Sequence, residues 1–114
     1  MENLVEKIKF SFEERLVAVS LCREIDHHAA RSIREDIDKM LFSHRPAVLV
    51  LDFSLVEFMD SSGLGLIIGR SEMCRSIGAS VELRGLSDRI LRLVKLGGVM
   101  KIDNVSIKRE GKYI

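Results

Sequence analysis

The chain has 114 residues, 46% of them hydrophobic, which is enough for one buried core and too little for two. Its 18 Lys and Arg against 17 Asp and Glu leave a formal charge of +1, so no global field gathers nucleic acid or holds an anionic membrane. No apolar run approaches the ~20 residues that span a bilayer, and Met1 to Leu4 lacks the basic start and apolar centre of a signal peptide, so the reading is a soluble cytoplasmic chain forming a single domain over 1–114.

Ile8 to Glu13 and Leu16 to Cys22 are β-rich runs around Glu14-Arg15 and predict an opening hairpin without the usual turn glycine. Asp26 then stands as N-cap before a helix whose apolar positions, Ala29, Ala30, Ile33, Ile37, Met40 and Leu41, fall on one face. Glu35 with Lys39 and Arg34 with Asp38 sit four apart on its outer face, worth ~0.2 to 0.5 kcal/mol each. Pro46 closes the segment. Ala47 to Asp52 is almost continuously apolar and predicts a strand covered on both faces in the middle of a sheet.

A second helix is predicted from about Ser62 to Ile77, with Leu64, Ile67, Ile68, Ser71 and Cys74 turned inward, Arg70 turned to water and Gly78 as its stop. Ser80 to Arg84 predicts another strand, and Ser87 caps a short helix over Asp88 to Leu96 ended by Gly97-Gly98. Val105 to Ile107 predicts a last strand before a polar tail, Glu110 to Ile114. Helix and strand alternating after the hairpin predict an α/β fold, a mixed sheet of about four to five strands with helices packed on it. Cys22 and Cys74 lack CxxC spacing and read as core thiols, with no disulfide framework and no metal site.

The stretch Phe58 to Arg70, Phe-Met-Asp-Ser-Ser-Gly-Leu-Gly-Leu-Ile-Ile-Gly-Arg, places two serines where a loop enters the second helix. The first N–H groups of a helix lack internal partners and its dipole is positive there, so Asp60, Ser61 or Ser62 can cap it and a phosphate would find donors. Gly63 and Gly65 cost about 1 kcal/mol each against alanine in a helix, which points to close approach by backbone or partner. No Gly-x-Ser-x-Gly elbow surrounds Ser61 and nothing sets His27, His28 or His44 against it as a base, so a hydrolase is a weak reading. Gly63-x-Gly65 lacks the rest of a nucleotide-binding fingerprint.

Glu24-Ile25-Asp26-His27-His28, Phe58-Met59-Asp60-Ser61-Ser62-Gly63-Leu64-Gly65 and the helix-Gly-hydrophobic ending from Leu93 to Ile102 resemble the anti-sigma factor antagonists of the STAS fold, its sporulation members above all. The resemblance implies a protein that is not an enzyme and holds no cofactor. Unphosphorylated, it would bind an anti-sigma factor that is also an ATP-dependent serine kinase and release the forespore sigma factor. Phosphorylation on Ser61 would inactivate it until a serine phosphatase restored it, the nucleotide staying with the kinase. Asp26, Asp60, Ser62, Gly63 and Leu64 would frame the docking surface, and the free chain would be monomeric, with no nucleic-acid or membrane partner. A structural STAS subunit that docks constitutively is the alternative. The chain departs from the family at Arg23, where glycine is usual, and at its end, where Lys108 to Ile114 is too polar for the usual helix.

Overall fold

The computed structural model describes residues 8–114; the expectation for Met1 to Leu4 lies outside them. The opening hairpin forms as its sequence requires, with β1 (Ile8–Glu13) antiparallel to β2 (Leu16–Leu21). Neither Glu14 nor Arg15 takes a positive φ, which is why no glycine is needed in that turn. From β2 the chain passes through β3 (Glu24–Ile25) into α1 (His27–His44) and returns as β4 (Val48–Asp52), then through β5 (Phe58–Met59) into α2 (Ser61–Ser76) and back as β6 (Ser80–Arg84). Then α3 (Asp88–Leu96), a 3-10 turn at Val99–Lys101, β7 (Val105–Arg109) and β8 (Lys112–Tyr113) complete it.

The main sheet has the order β1-β2-β4-β6-β7-β8, with β2, β4, β6 and β7 parallel and the two outer pairs antiparallel. It is a mixed sheet, as expected, but six strands wide. The additional strand lies in the supposed polar tail. Glu110 and Gly111 both take positive φ, 53° and 79°, the pairing a two-residue hairpin turn demands, so Lys112 and Tyr113 fold back onto Lys108 and Arg109.

Val17, Val19 and Leu21 of β2, Leu49 and Leu51 of β4, Val81 and Leu83 of β6 and Ile107 of β7 point into one core, alternating with half-buried residues in β2 and β7 and with the buried Val50 and Glu82 in the central strands β4 and β6. Helix α1 closes that core with the six residues its periodicity singled out. Helix α2 is turned from the predicted setting: Gly63, Leu66, Ile67, Arg70, Ser71 and Cys74 are buried, while Leu64 and Ile68 are only half-buried. Burial pushes the Cys74 thiol up to about 11, which makes it inert, and Cys22 is free and half-buried.

The opposite face of the sheet carries one buried acid. Tyr113 Oη donates to Glu82 at 2.7 Å and Arg84 Nε pairs with its other oxygen, while Lys108 Nζ lies 5.4 Å over the Tyr113 ring. Burial drives the Glu82 carboxyl up, but these two hydrogen bonds and the neighbouring cations outweigh it and leave it below its ordinary range.

Candidate functional site

The site grows from a two-stranded ladder outside the main sheet. Glu24 and Ile25 of β3 pair in parallel with Phe58 and Met59 of β5, so the next residue on each strand, Asp26 and Asp60, arrives at the same level. Each begins a helix in almost the same conformation, φ −97° and ψ −172° for Asp26, φ −97° and ψ −170° for Asp60. Asp26 Oδ1 accepts from the Ala29 N–H at 2.9 Å and Asp60 Oδ1 from the Ser62 N–H at 2.8 Å. The Asp60 N–H donates to the Ile25 carbonyl at 3.2 Å, tying the two starts together. Two helix N-termini therefore open side by side at one end of the molecule. The Ala29 N–H holds the Asp26 carboxyl below its ordinary range.

Because Asp60 is the cap, neither serine is needed as one. Ser61 is the first residue of α2, exposed, and its hydroxyl forms no hydrogen bond among the described residues. Ser62 is half-buried and lines a cleft of about 520 Å³ between α1 and α2 with His27, Arg31, Arg34 and Gly65. No histidine is hydrogen-bonded to Ser61 or Ser62 among the described residues, so no nucleophile–base pair is assembled there. The basic lining was legible as a spacing of four and then three, His27, Arg31 and Arg34, along one side of α1.

The two glycines separate cleanly. Gly63 is buried, and a Cβ on it would lie 2.2 Å from Met59 Cγ, so the close approach is to this chain's own buried Met59. Gly63 shapes the entry to α2 from within. Gly65 has open space around it and faces the cleft. Gly63→Ala is expected to cost about 1 to 3 kcal/mol by overpacking and Gly65→Ala to gain up to about 1 kcal/mol in helix propensity, read as opposite shifts in thermal unfolding. Leu64 packs toward the end of α3, where a Cβ on Gly97 would lie 2.7 Å from Leu64 Cδ1. Only part of its side chain is exposed.

Arg23, the departure from the family pattern, takes no positive φ. Its carbonyl accepts from the N–H groups of Glu57 and Phe58, and its guanidinium pairs with Glu57 at 2.9 Å on the surface. Glycine is not required there. Phe58, 44% exposed, and Leu55 stand free beside the loop as exposed apolar side chains without a signal in the sequence, since an exposed Phe within a two-residue strand carries no periodicity.

Arg70 is corrected outright: it is buried between the helices, with Nε 2.8 Å from Oδ1 of Asp38. Asp38 thus pairs across to α2 and not with Arg34 along its own helix. The contact is an ion pair poorly aligned as a hydrogen bond, and Arg70 Nη1 has no hydrogen-bond partner among the described residues.

The STAS domain model matches residues 7–109. The chain belongs to the STAS family. Within it, the chain is 34% identical over 98 residues to the anti-sigma-B factor antagonist of Bacillus subtilis, covering 86% of this chain and 88% of that one. To the anti-sigma F factor antagonist of Paenibacillus polymyxa it is 29% identical over 96 residues, covering 84% and 82%. Among solved structures it resembles the anti-sigma factor antagonist SpoIIAA in its unphosphorylated form, with a TM-score of 0.77 and 26% identity over 90% of this chain and 89% of that one. The phosphorylated form of Bacillus SpoIIAA superposes with a TM-score of 0.70 at 26% identity, over 90% and 92%. This STAS domain therefore has its family's mixed sheet and three helices, and its relatives are named as regulators. No helix among the described residues is long and apolar enough to cross a membrane.

Proposed function

We propose that this STAS protein is an anti-sigma factor antagonist whose unphosphorylated form docks on an anti-sigma factor that is also a serine kinase, freeing the sigma factor held there. The kinase turns the interaction off by transferring a phosphoryl group from its own ATP to Ser61, and a serine phosphatase turns it on again. The observation that carries this reading is Ser61 itself: exposed, first in α2, and relieved of capping by Asp60. A serine so placed is a substrate, because its hydroxyl can be reached and nothing in the fold depends on it. Asp26 and Asp60 flank it on the docking end, with Ser62 and part of Leu64 beside them. Gly63 contributes from underneath by leaving room for Met59.

The relatives divide between sigma-B and sigma-F antagonists, so the sporulation assignment implied by the resemblance stands beside a sigma-B one. That both phosphorylation states of SpoIIAA share this fold supports a switch acting at the surface. The test is intact-mass and site mapping after incubation with ATP and the anti-sigma kinase of the same organism, alongside Ser61→Ala. One phosphate on Ser61, absent from the variant, is expected. Stable kinase binding without any phosphate would instead favour a constitutive docking subunit, and a phosphate on Ser62 would move the acceptor by one residue.

A further inference from the structure

At the far side of the sheet from β8, strand β1 is an edge, and its outer rim has no partner strand among the described residues. Edge strands are usually protected against pairing by charge. Here the charges have opposite sign and are spaced evenly about Ser11. Ile8–Glu13 reads Ile-Lys-Phe-Ser-Phe-Glu, so an antiparallel copy centred on Ser11 sets Lys9 opposite Glu13, Phe10 opposite Phe12 and Ser11 opposite itself. Every one of those pairs joins positions an even number apart. Residues along an antiparallel strand alternate in the direction of their N–H and C=O groups, so this register makes outward groups meet outward groups. Phe10 and Phe12 already share a face, their ring centroids 6.0 Å apart, and Phe12 stacks on His44 at 4.6 Å although it is 52% exposed.

We infer that β1 is a homodimer interface, in which two copies of the chain pair their β1 strands antiparallel about Ser11 into one continuous twelve-stranded sheet, six from each copy. Two Lys9–Glu13 pairs and two Phe10–Phe12 pairs then close the seam, the kinds of cross-strand neighbour that stabilise sheets. The two-fold axis of such a pair stands perpendicular to the sheet. It sends the Ser61 ends of the two copies in opposite directions, so both stay open to a partner, and the monomeric state expected from the resemblance is replaced by a dimer with two separate docking ends.

Sedimentation equilibrium of the full chain over a range of concentrations tests this. The mass is expected to rise from one chain to two. Lys9→Glu and Glu13→Lys, both at exposed positions, are each expected to weaken the dimer by about tenfold or more, since each turns two attractive pairs repulsive. The double reversal K9E/E13K is expected to restore the dimer, which mere loss of folding could not do. In a Cys22→Ser background, Ser11→Cys is expected to oxidise to a covalent dimer, because residues directly opposite in antiparallel strands have Cα atoms ~4.5 to 5.5 Å apart, within disulfide reach. A single-chain mass at every concentration, a dimer indifferent to charge reversal, or a Ser11→Cys chain that does not cross-link would each overturn the proposal.

Discussion

Replacing Ser61 by aspartate is expected to weaken binding to the anti-sigma partner about a hundredfold or more while moving the melting temperature of the free protein by only a few degrees. The reason lies in what surrounds the residue. Ser61 follows Asp60, and Asp26 begins the neighbouring helix at the same level, so a new carboxylate enters a place that already holds two. In the free protein that charge is hydrated and the N-terminus of α2 offsets part of the repulsion, by ~0.3 to 1 kcal/mol at an exposed position. In a complex the same charge must lose its water without gaining a partner, which costs several kcal/mol, and each ~1.4 kcal/mol is tenfold in affinity. Phosphate, with ~−1.5 to −2 charges, takes the chain's formal charge from +1 to below zero and acts more strongly. Calorimetric titration of the partner into wild type and Ser61→Asp, with thermal melts of both, measures the two quantities separately. Unchanged affinity would point to constitutive docking.

Asp38→Ala is expected to destabilise the protein by about 3 kcal/mol or more, and Arg70→Met by less. The two side chains of this pair differ in their access to water: Arg70 is 6% exposed and Asp38 28%. Removing Asp38 strands a buried guanidinium, whereas removing Arg70 leaves a carboxylate that reaches solvent. Burial pushes the Arg70 pKa down and the Asp38 pKa up, in each case against the charged form and despite the partner. For Asp38 the folded state therefore holds its proton more tightly than the unfolded chain, so its contribution to stability falls as pH rises through the window between the ordinary carboxylate value and the raised one. The pair is costly to break and adds little when intact. The double variant Asp38→Leu/Arg70→Met is expected to be at least as stable as wild type, and chemical denaturation of all four proteins checks the order.

These two residues also mark where the sequence ceased to be readable. Along α1 six apolar residues recur at helical spacing on one face and all six are buried, Phe42 alone standing exposed off that face, so pattern alone identified the face. Helix α2 meets the sheet, α1 and the turn after α3, and it carries apolar residues on several sides, so its rotation was not recoverable from spacing. A long polar side chain such as Arg70 reads as a surface group until the opposing acid on another helix is known. The β3–β5 ladder escaped for a different reason, because two residues are too few to show alternation. In β8 the cue was present in Glu110-Gly111, but the polar residues around it resembled a loose end. At the site, Asp26 and the serine pair were legible as helix-start chemistry and the basic residues of α1 carried a signal in their spacing, while the exposure of Phe58 and the cleft those basic residues line required the helices to be placed next to each other.

The ladder that aligns Asp26 with Asp60 is separate from the six-stranded sheet that holds the core. The ladder is anchored to the scaffold by the buried Ile25 and Met59, whereas exposed residues around it such as Arg23, Glu57 and Phe58 can be exchanged without disturbing the packing beneath. A genome that duplicates such a domain can therefore alter the new copy's allegiance quickly. Paralogues would diverge first at this rim, where a handful of changes is expected to make each one deaf to its sibling's partner while every copy keeps the same folded body.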